Sequence, residues 1–380
     1  MQHSPSPLPA LSAPVAGGQA ASSPVQAQPA AQTVHQQFVD WLRQVAPSIH
    51  KFRGQTFVVS IPGEMLLVEN ALNALIHDLS LLHSIGIRVV IVNGCRPQIN
   101  AQLRLRGQAS HYHDGLRITD AVALECAKEA AGEIRYDMEA AFSQGLANTP
   151  MANAGIRVVS GNFTLARPVG IVDGVDFAYS GLVRKVDAAS IRHALDNQQI
   201  VLLSNIGYSA TGEAFNLAME DVAAITAMAL NADKLVFLAE VPGVRGEDGR
   251  IQTEISEAQA RAVLAQPDLE LPLRIYLTAA LKACEGGVAR SHVVPFAVDG
   301  SVLLEFFLHD GVGTMVVRET LEAVREATIE DVSGILALIQ PLEADGTLVK
   351  RDRALIEAEI GNFTVIEHDQ VIFGCAAMYA

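Results

Sequence analysis

The stretch Val89–Ile99 constrains the fold more than any other part of the sequence. Val89–Val92 are four consecutive β-branched residues, which indicates a strand buried on both faces. Asn93 and Gly94 then end the strand, and Pro97 suits the first turn of a helix because its φ angle is fixed. A strand that passes through a short turn into a helix leaves backbone N–H groups free to bind an anion. An ordinary strand–turn–helix connection has the same pattern, so the other motifs must decide whether this turn binds an anion.

Length and composition exclude several classes of protein. The chain has 380 residues, half of them apolar, which is enough for two domains and a sizeable core. Its net charge of −15, without a basic run, argues against binding to nucleic acid or to a membrane surface. Apolar runs are only as long as strands, so no transmembrane span is expected. The four cysteines lie far apart without a C-x-x-C pair, which argues against a zinc site or a disulfide framework and favours a reducing cytoplasm.

The N-terminal region divides into a tail and a helix. Residues 1–33 are rich in Pro, Ala, Ser and Gln and contain no Lys or Arg, so a disordered tail is expected. Apolar residues then recur at helical spacing from Val34 to Val45, before Pro47 ends the predicted helix. This helix carries Trp41, the only tryptophan. It could pack on its own domain or dock on a neighbouring subunit.

Strand and helix patterns alternate through the middle of the chain. The predicted strands, besides the central one, are Thr56–Ile61, Arg157–Gly161, Phe163–Ile171, Phe177–Lys185, Gln199–Leu203, Lys234–Leu238 and Ser291–Phe296. The predicted helices are Leu66–Ser84, Gln98–Arg106, one from about Thr119 or Asp120 through Glu133, Met219–Asn231, Leu273–Glu285 and Ser301–Phe307. This rhythm predicts an α/β fold, an open and mostly parallel sheet sandwiched by helices, with ligands at its carboxyl edge.

A second unit is predicted after a boundary near Val316–Leu321. The predicted elements are a strand at 324–328, a helix Val332–Ile339 ended by Pro341, a helix at 353–360, and a hairpin of strands 363–367 and 371–378 around residues 368–370. The sequence Thr328-x-x-Asp331 resembles a capping box before the first of these helices. Because a strand at an open edge is a liability, the chain is expected to end inside a domain.

Four motifs resemble those of the acetylglutamate kinase branch of the amino acid kinase fold. Asn93–Ile99 stands where that branch has H-G-G-G-P-Q-I, and Gly115–Asp120 matches its G-L-R-V-T-D. Phe215–Asp221 matches L-N-I-N-A-D, and Leu238–Val244 matches L-T-D-V-P-G-V. The resemblance covers residues 34–320 and implies the amino acid kinase fold. Its site residues would be Ser60, Gly63, Gly94, Arg96, Arg117, Asn216, Glu220 and Tyr276.

Substitutions in these motifs argue against kinase activity. Phosphoryl transfer needs cations aimed at the transferred group. Ser60 stands where the kinases have one lysine, and Tyr276 falls, by spacing, where they have another. Glu220 replaces their aspartate, while Cys95 and Arg96 replace two glycines of the phosphate loop. The site is therefore predicted to be a degenerate kinase-like pocket without a metal.

The C-terminal unit resembles the start of the GNAT acetyltransferase fold, over residues 321–380. An amino acid kinase-like domain followed by a GNAT domain resembles the N-acetylglutamate synthase family. That resemblance implies acetyl transfer from acetyl-CoA, a co-substrate, to L-glutamate, the first step of arginine biosynthesis. It also implies that Leu348 and Lys350, within a stretch similar to the family's L-V-R-R, contact glutamate. Arg325 could be a second carboxylate partner or a salt-bridged strand end.

A pattern near R-x-x-G-x-G, the CoA pyrophosphate loop of GNAT proteins, is missing from residues 321–380. The catalytic groups are therefore expected beyond Ala380, and the printed chain is expected to be catalytically incomplete, with a truncated GNAT domain.

The same resemblance implies a regulatory site. His292, Glu305 and Gly311 reproduce the spacing at which arginine-sensitive relatives bind arginine. A carboxylate fork could bind a guanidinium, and a glycine turn could bind a carboxylate. In those relatives the N-terminal helix links dimers into a hexameric ring, which implies a homo-oligomer with arginine feedback. Two alternatives stay open at this point: a non-catalytic arginine-binding module, and an acetylglutamate kinase.

Overall fold

The structure is a computed structural model that describes residues 29–144, 151, 155–308, 311–318, 322–368 and 371–378. The chain divides into one unit up to Pro47 and another from Ser48 to Ala380. The predicted disordered tail lies, up to residue 28, outside the described residues.

Helices in the described residues are α1 (Pro29–Phe52), α2 (Ala71–Ser84), α3 (Arg96–Leu105), α4 (Ala121–Gln144), α5 (Ala188–Asp196), α6 (Met219–Leu230), α7 (Glu257–Leu264), α8 (Leu271–Glu285), α9 (Ser301–Phe307), α10 (Val332–Ala344) and α11 (Arg353–Ala358). Strands are β1 (Thr56–Ile61), β2 (Arg88–Asn93), β3 (His111–His113), β4 (Leu116–Ile118), β5 (Arg157–Val159), β6 (Thr164–Pro168), β7 (Ile171–Val172), β8 (Val175–Asp176), β9 (Ser180–Val186), β10 (Gln199–Ser204), β11 (Ile206–Tyr208), β12 (Ala214–Leu217), β13 (Lys234–Ala239), β14 (Glu254–Ser256), β15 (Arg290–Pro295), β16 (Thr314–Val317), β17 (Glu322–Glu326), β18 (Phe363–His368) and β19 (Val371–Ala377).

The main sheet has the strand order β14–β16–β15–β13–β1–β2–β10–β5. Its neighbours pair in parallel except β15 and β16, which are antiparallel. The prediction of an open, mostly parallel sheet is therefore confirmed. Thr314–Val317 form β16 within this sheet, and the domain boundary near Val316–Leu321 stays a prediction. β14 was not predicted, because Glu254–Ser256 is too short to show a periodic pattern. The helix that follows it, α7, was not predicted either.

The central strands are buried on both faces, as their composition predicts. Val90 and Val92 belong to one apolar cluster, whereas Val89 and Ile91 belong to another. Alternate residues of a strand point to opposite faces of the sheet, and here they belong to two separate apolar clusters. The sheet therefore lies between two apolar layers. Burial of a Val or Ile side chain contributes about 1.5–3 kcal/mol, so these strands anchor the fold.

Two predictions that a proline ends a helix are wrong. α1 continues through Pro47 to Phe52, and α10 continues through Pro341 to Ala344. A proline removes one backbone donor but leaves the helical bonds of its neighbours, so a helix whose apolar pattern continues can tolerate it. α1 also begins at Pro29, before the predicted start at Val34.

Another boundary moved for a local backbone reason. The predicted helix Leu66–Ser84 is split into a 3-10 turn, Met65–Leu67, and α2 from Ala71. Asn70 has a φ of 62°, in the left-handed region that interrupts a helix.

Four smaller sheets accompany the main sheet in the described residues, two of them the two-stranded pairs β3–β4 and β7–β8. β6, β9, β12 and β11 form a closed four-stranded barrel. β17, β18 and β19 form an antiparallel sheet with its own apolar cluster, which includes Ile335, Ile356 and Val365. The predicted hairpin is confirmed, although residues 369–370 of its turn lie outside the described residues. The boundary at residue 320 stays a prediction, because the compact unit from Ser48 includes residues on both sides.

Candidate functional site

A pocket lies at the carboxyl ends of β1 and β2, next to the point between β13 and β1 where the sheet order reverses direction along the chain. Open parallel sheets bind ligands at such a point. Pocket residues come from the turns after both strands, from the β3–β4 hairpin and from the start of α6. Its lining residues are Pro62, Gly63, Glu64, Gly94, Cys95, Arg96, Ile99, Tyr112, Gly115, Leu116, Arg117, Asn205, Asn216, Leu217, Ala218, Met219, Glu220 and Tyr276. The structure therefore brings seven of the eight predicted kinase-like positions together.

Two glycines let the turns approach each other. A Cβ atom on Gly63 would lie 2.4 Å from Gln98 Oε1 and 3.0 Å from the Cα atom of Cys95. A Cβ atom on Gly94 would lie 2.9 Å from the Sδ atom of Met219. A side chain at either position would force these neighbours to shift.

A loose ion pair crosses the pocket. Arg96 Nη2 lies 3.7 Å from Glu220 Oε1, which is longer than a hydrogen bond. Burial raises the pKa of Glu220, although Arg96 opposes that rise. Burial also raises the pKa of Glu64, which the charge of Arg96 likewise opposes. Two carboxyl groups thus share the neighbourhood of one guanidinium.

Arg117 is the second cation of the pocket, and it is 6% exposed. Its Nη2 donates to Asn100 Oδ1 at 2.6 Å and to the Arg96 carbonyl at 3.2 Å, and the guanidinium stacks 4.7 Å from the Tyr112 ring centroid. Its Nη1 is buried and has no hydrogen-bond partner among the described residues. Burial lowers the pKa of this guanidinium.

The two positions where the resemblance predicts a lost kinase lysine carry uncharged groups. Ser60 is fully buried in β1 and does not line the pocket, and its Oγ has no partner in the described part of the chain. Tyr276 donates its hydroxyl hydrogen to Glu240 Oε2 at 2.9 Å. Burial and the nearby glutamates raise the pKa of this phenol, so it stays protonated. Glu240 belongs to the Leu238–Val244 motif, and its pairing with Tyr276 was not predicted.

A buried amide network supports the opposite wall. Cys95 Sγ donates to Asn205 Oδ1 at 3.0 Å, and Asn205 Nδ2 donates to Asn216 Oδ1 at 2.7 Å. Asn216 Nδ2 in turn donates to Thr119 Oγ1 at 3.0 Å. Asn216 is therefore held by protein groups, and burial raises the pKa of the Cys95 thiol to about 12, which makes it inert.

His292, Glu305 and Gly311 meet in a second cluster, on β15, α9 and the loop that follows. His292 Nδ1 lies 2.7 Å from Glu305 Oε1, and the N–H groups of Val312 and Gly313 donate to Glu305 Oε2 at 2.8 and 3.0 Å. A Cβ atom on Gly311, whose φ is 59°, would lie 2.6 Å from Glu305 Oε2. The structure therefore brings these three residues together, and their role as an arginine site stays a prediction.

The charge states in this cluster follow from burial. Burial lowers the pKa of His292 to about 4, with a further contribution from the charge of Lys234. Burial opposes ionisation of Glu305, but its hydrogen bonds from His292, Val312 and Gly313 outweigh that effect and lower its pKa. His292 is then neutral with its proton on Nδ1, and its buried Nε2 has no partner among the described residues.

Lys234 is a functional candidate that the sequence analysis missed. It is 5% exposed, and its Nζ lies 5.1–5.9 Å from the ring centroids of Phe52, Phe57 and Phe306. Buried lysines are rare. The only sequence signal was a lysine at the start of a fully buried strand.

The predicted glutamate contacts in residues 321–380 are Arg325, Leu348 and Lys350. Arg325 is occupied: its guanidinium binds Asp331 at 2.7 and 2.8 Å and Glu367 at 2.6 and 2.8 Å. Of the two interpretations of Arg325, the salt-bridged strand end is the one observed. Leu348 and Lys350 lie in an exposed loop, where the Leu348 N–H donates to the Leu342 carbonyl.

The described residues contain no cluster of three or more His, Cys, Asp or Glu side chains that could hold a metal ion. None of their helices combines the length and the apolarity needed to cross a membrane.

Comparisons with known proteins agree with the fold and the motifs. The Amino acid kinase family model matches residues 55–295, so most of the chain belongs to the amino acid kinase class of proteins. A curated amino-acid acetyltransferase from Ralstonia nicotianae is 59% identical over 344 residues, which cover 90% of this chain and 76% of the relative. One from Pseudomonas fluorescens is 48% identical over 90% of this chain and 79% of its own length. The chain belongs to the amino-acid acetyltransferase family, the N-acetylglutamate synthases, a family of transferases.

Solved structures lead to the same family. N-acetylglutamate synthase from Neisseria gonorrhoeae, complexed with coenzyme A and L-arginine, matches with a TM-score of 0.81 at 37% identity, over 90% of this chain and 78% of that one. The same enzyme complexed with coenzyme A and N-acetyl-glutamate gives a TM-score of 0.69. A carbamate kinase from Giardia, at 18% identity and a TM-score of 0.52 over 70% of this chain and 99% of that one, shows the fold alone. The predicted family and fold class are confirmed.

Proposed function

We propose that this protein transfers the acetyl group of acetyl-CoA to the amine of L-glutamate in the cytoplasm and is regulated by L-arginine. The observation that carries the reaction is the 59% identity to an amino-acid acetyltransferase over 90% of the chain. The neutral amine attacks the thioester carbonyl, a C–N bond forms, and the C–S bond breaks to release coenzyme A. Four free cysteines support a reducing compartment.

Leu348 and Lys350 are the proposed glutamate contacts. A lysine ammonium can neutralise a carboxylate but lacks the bidentate fork of an arginine, so it acts as a point charge. Arg325 takes a positioning role, because both edges of its guanidinium already bind Asp331 and Glu367.

Residues 321–380, the proposed GNAT unit, contain no R-x-x-G-x-G pattern. We therefore expect a polypeptide of these 380 residues to lack acetyltransferase turnover. The measurement is release of free thiol from acetyl-CoA in the presence of L-glutamate. Turnover well above a no-enzyme blank would refute this part of the proposal.

The arginine site is proposed at the His292–Glu305 cluster. An ionised carboxylate offers about four acceptor positions, and Glu305 uses three of them on His292, Val312 and Gly313. One acceptor remains on Oε1, so a guanidinium would make a single hydrogen bond here rather than the predicted fork. The N–H groups of Val312 and Gly313 bind Glu305, so they are available to a ligand carboxylate only if Glu305 shifts.

Thermal unfolding with L-arginine tests this site. Saturating ligand at about 100 Kd adds about 2.7 kcal/mol of stability, which raises the melting temperature by several degrees. L-citrulline is the matched ligand, because it has the same shape without the charge, and it should give little shift. Glu305→Gln should abolish the arginine shift, and His292→Gln should weaken it. An unchanged melting temperature with millimolar arginine would exclude the site.

Two other functions are distinguished by the same preparation. A non-catalytic arginine-binding module would show the arginine shift without any shift from L-glutamate, which Leu348 and Lys350 are proposed to contact. An acetylglutamate kinase would consume ATP with N-acetyl-L-glutamate, which Ser60 and Tyr276 argue against. We further propose a homo-oligomeric ring assembled through α1, whose Phe38, Trp41 and Leu42 are 60%, 46% and 45% exposed.

A further inference from the structure

We infer that Glu343, a residue of α10 that no sequence motif singled out, is a positioning residue for the proposed glutamate site. Its carboxylate fixes the backbone next to Lys350. The inference rests on the proposed function, specifically on the contacts of Leu348 and Lys350 with L-glutamate.

The loop between α10 and α11, residues 345–352, gains little from apolar burial. Leu348 is 42% exposed and Val349 is 86% exposed. Ordering a loop costs conformational entropy, and buried apolar surface is the usual term that offsets this cost. The hydrogen bonds of the loop backbone therefore decide how firmly the loop is held.

Two of these hydrogen bonds tie the loop back to the last turn of α10. The Leu348 N–H donates to the Leu342 carbonyl at 2.9 Å. The Arg351 N–H donates to Glu343 Oε1 at 2.8 Å, across eight residues of the chain. The second bond is made by a side chain, so a substitution can remove it without changing the backbone.

Glu343 thereby fixes the peptide group that joins Lys350 to Arg351. This group is planar, so a hydrogen bond at the Arg351 N–H also fixes the position of the Lys350 Cα atom. A lysine ammonium is a point charge on a flexible stem, and the position of its Cα atom limits where the ammonium can reach. Loss of the bond would lower the fraction of molecules whose loop is arranged for binding, and the apparent affinity would fall in proportion.

The place of Glu343 in the helix supports this role. It is half-buried in the last turn of α10, where the helix dipole disfavours a negative charge, and that turn contains no basic residue. A carboxylate there does not stabilise the helix, but it gains a charge-assisted hydrogen bond from the loop. The glutamate therefore serves the loop rather than the helix.

Binding of L-glutamate to the 380-residue chain, measured by ligand-observed NMR, tests the inference. Glu343→Met keeps the length of the side chain but removes the acceptor, so it should weaken binding about fivefold or more. Glu343→Gln keeps an acceptor oxygen and should restore binding to within about twofold of the wild type. Glu133→Met, at an exposed position of α4, is the matched control and should bind as the wild type does.

Hydrogen exchange shows whether the change is confined to the loop. The Arg351 amide should be protected in the wild type and in Glu343→Gln, and it should exchange about tenfold faster in Glu343→Met. The amides of Ile335 and Ile356, in the apolar cluster of the β17–β18–β19 sheet, should keep their protection. If they lose it, Glu343→Ala, which has the higher helix propensity, replaces Glu343→Met in both measurements.

The outcomes separate this inference from the proposed function. If the wild type does not bind L-glutamate saturably up to about 50 mM, or if Lys350→Gln binds it equally well, the proposed contacts are refuted and the positioning role falls with them. Where those contacts hold, three results overturn the positioning role alone. They are binding by Glu343→Met within about twofold of the wild type, equal weakening by Glu343→Gln and Glu343→Met, and an unchanged exchange rate of the Arg351 amide.

Discussion

At the scale of single residues, two groups of buried charges stand out among the described residues, apart from Asp331, which is paired with Arg325. His292, Glu305 and Lys234 are all at most 8% exposed and determine one another's charge. Arg117 and Glu220 are similarly buried but lie beside an open pocket. Buried charges are expensive unless paired, so each group indicates a site rather than a contribution to stability.

His292 should make the stability of the protein depend on pH. Its pKa is about 4 in the folded protein, below the ordinary value of 6.5. The fold therefore favours the neutral imidazole, and this stabilisation is complete above pH 6.5 and is lost as the pH falls from 6.5 towards 4. The loss reaches about 3 kcal/mol, since each pKa unit corresponds to 1.36 kcal/mol. The measurement is the free energy of unfolding in urea between pH 7 and pH 4.5.

The test needs a difference between variants, because other buried groups titrate in the same range. Burial lowers the pKa of His83 as well, and burial raises that of Asp78 to about 6. Subtracting His292→Gln from the wild type removes these shared contributions. His77→Gln, at an exposed position of α2, is the control and should keep the wild-type slope. Parallel curves for wild type and His292→Gln would show that His292 is not the titrating group.

At the scale of elements, the connection from β17 to α10 shows how a short polar motif fixes a corner. Asp331 Oδ2 accepts hydrogen bonds from the N–H of Thr328 at 2.7 Å and from its hydroxyl at 3.0 Å. The same carboxylate binds Arg325 of β17, at 2.7 and 2.8 Å. The predicted capping box therefore also joins the strand to the helix, which its spacing alone did not reveal.

Thr328→Val should loosen this corner. The substitution keeps the shape of the side chain but removes the hydroxyl that donates to Asp331, at a cost of about 1 kcal/mol in the free energy of unfolding. Thr328→Ser keeps the hydroxyl and is the matched control. Urea unfolding measures the cost, and hydrogen exchange of residues 322–344 locates it. If the Val and Ser variants were equally stable, the hydroxyl would contribute nothing.

At the scale of the whole molecule, α1 presents an apolar stripe on its own unit. Phe38, Trp41 and Leu42 recur at helical spacing and are 60%, 46% and 45% exposed. Three large apolar side chains exposed together on one helix indicate an interaction surface.

Charging this stripe should reduce the molecular mass in solution. We expect the wild-type chain to elute as an oligomer and Trp41→Glu to elute as a smaller species, because a buried unpaired carboxylate destabilises an apolar interface. Light scattering coupled to size exclusion gives the masses. Gln36→Lys, on the other side of the helix, should match the wild type. A monomeric wild-type chain would contradict the proposed ring.

Much of the fold could be predicted because strong local patterns produced it. The run Val89–Val92, the Ala-rich stretch of α6 and the hairpin of β18 and β19 each carry their own periodicity. The errors lie where tertiary packing overrides a local signal, as at Pro47 and Pro341, or where an element is too short to have a period. The motifs predicted the candidate site residues, but they did not predict the hydrogen-bond partners of those residues, such as Glu240 for Tyr276.

The sequence by itself determined the layered α/β fold, the family and the positions of the candidate residues, because these depend on the order and spacing of side chains. Only the tertiary structure decided what those residues do to one another. Glu305 binds His292 and a loop rather than standing free, and Arg325 is held by two carboxylates. Arg117 keeps one buried donor without a partner in the described part of the chain. Hydrogen bonds between residues distant in the chain, and the burial that changes their pKa values, exist only once the sheet has brought them together.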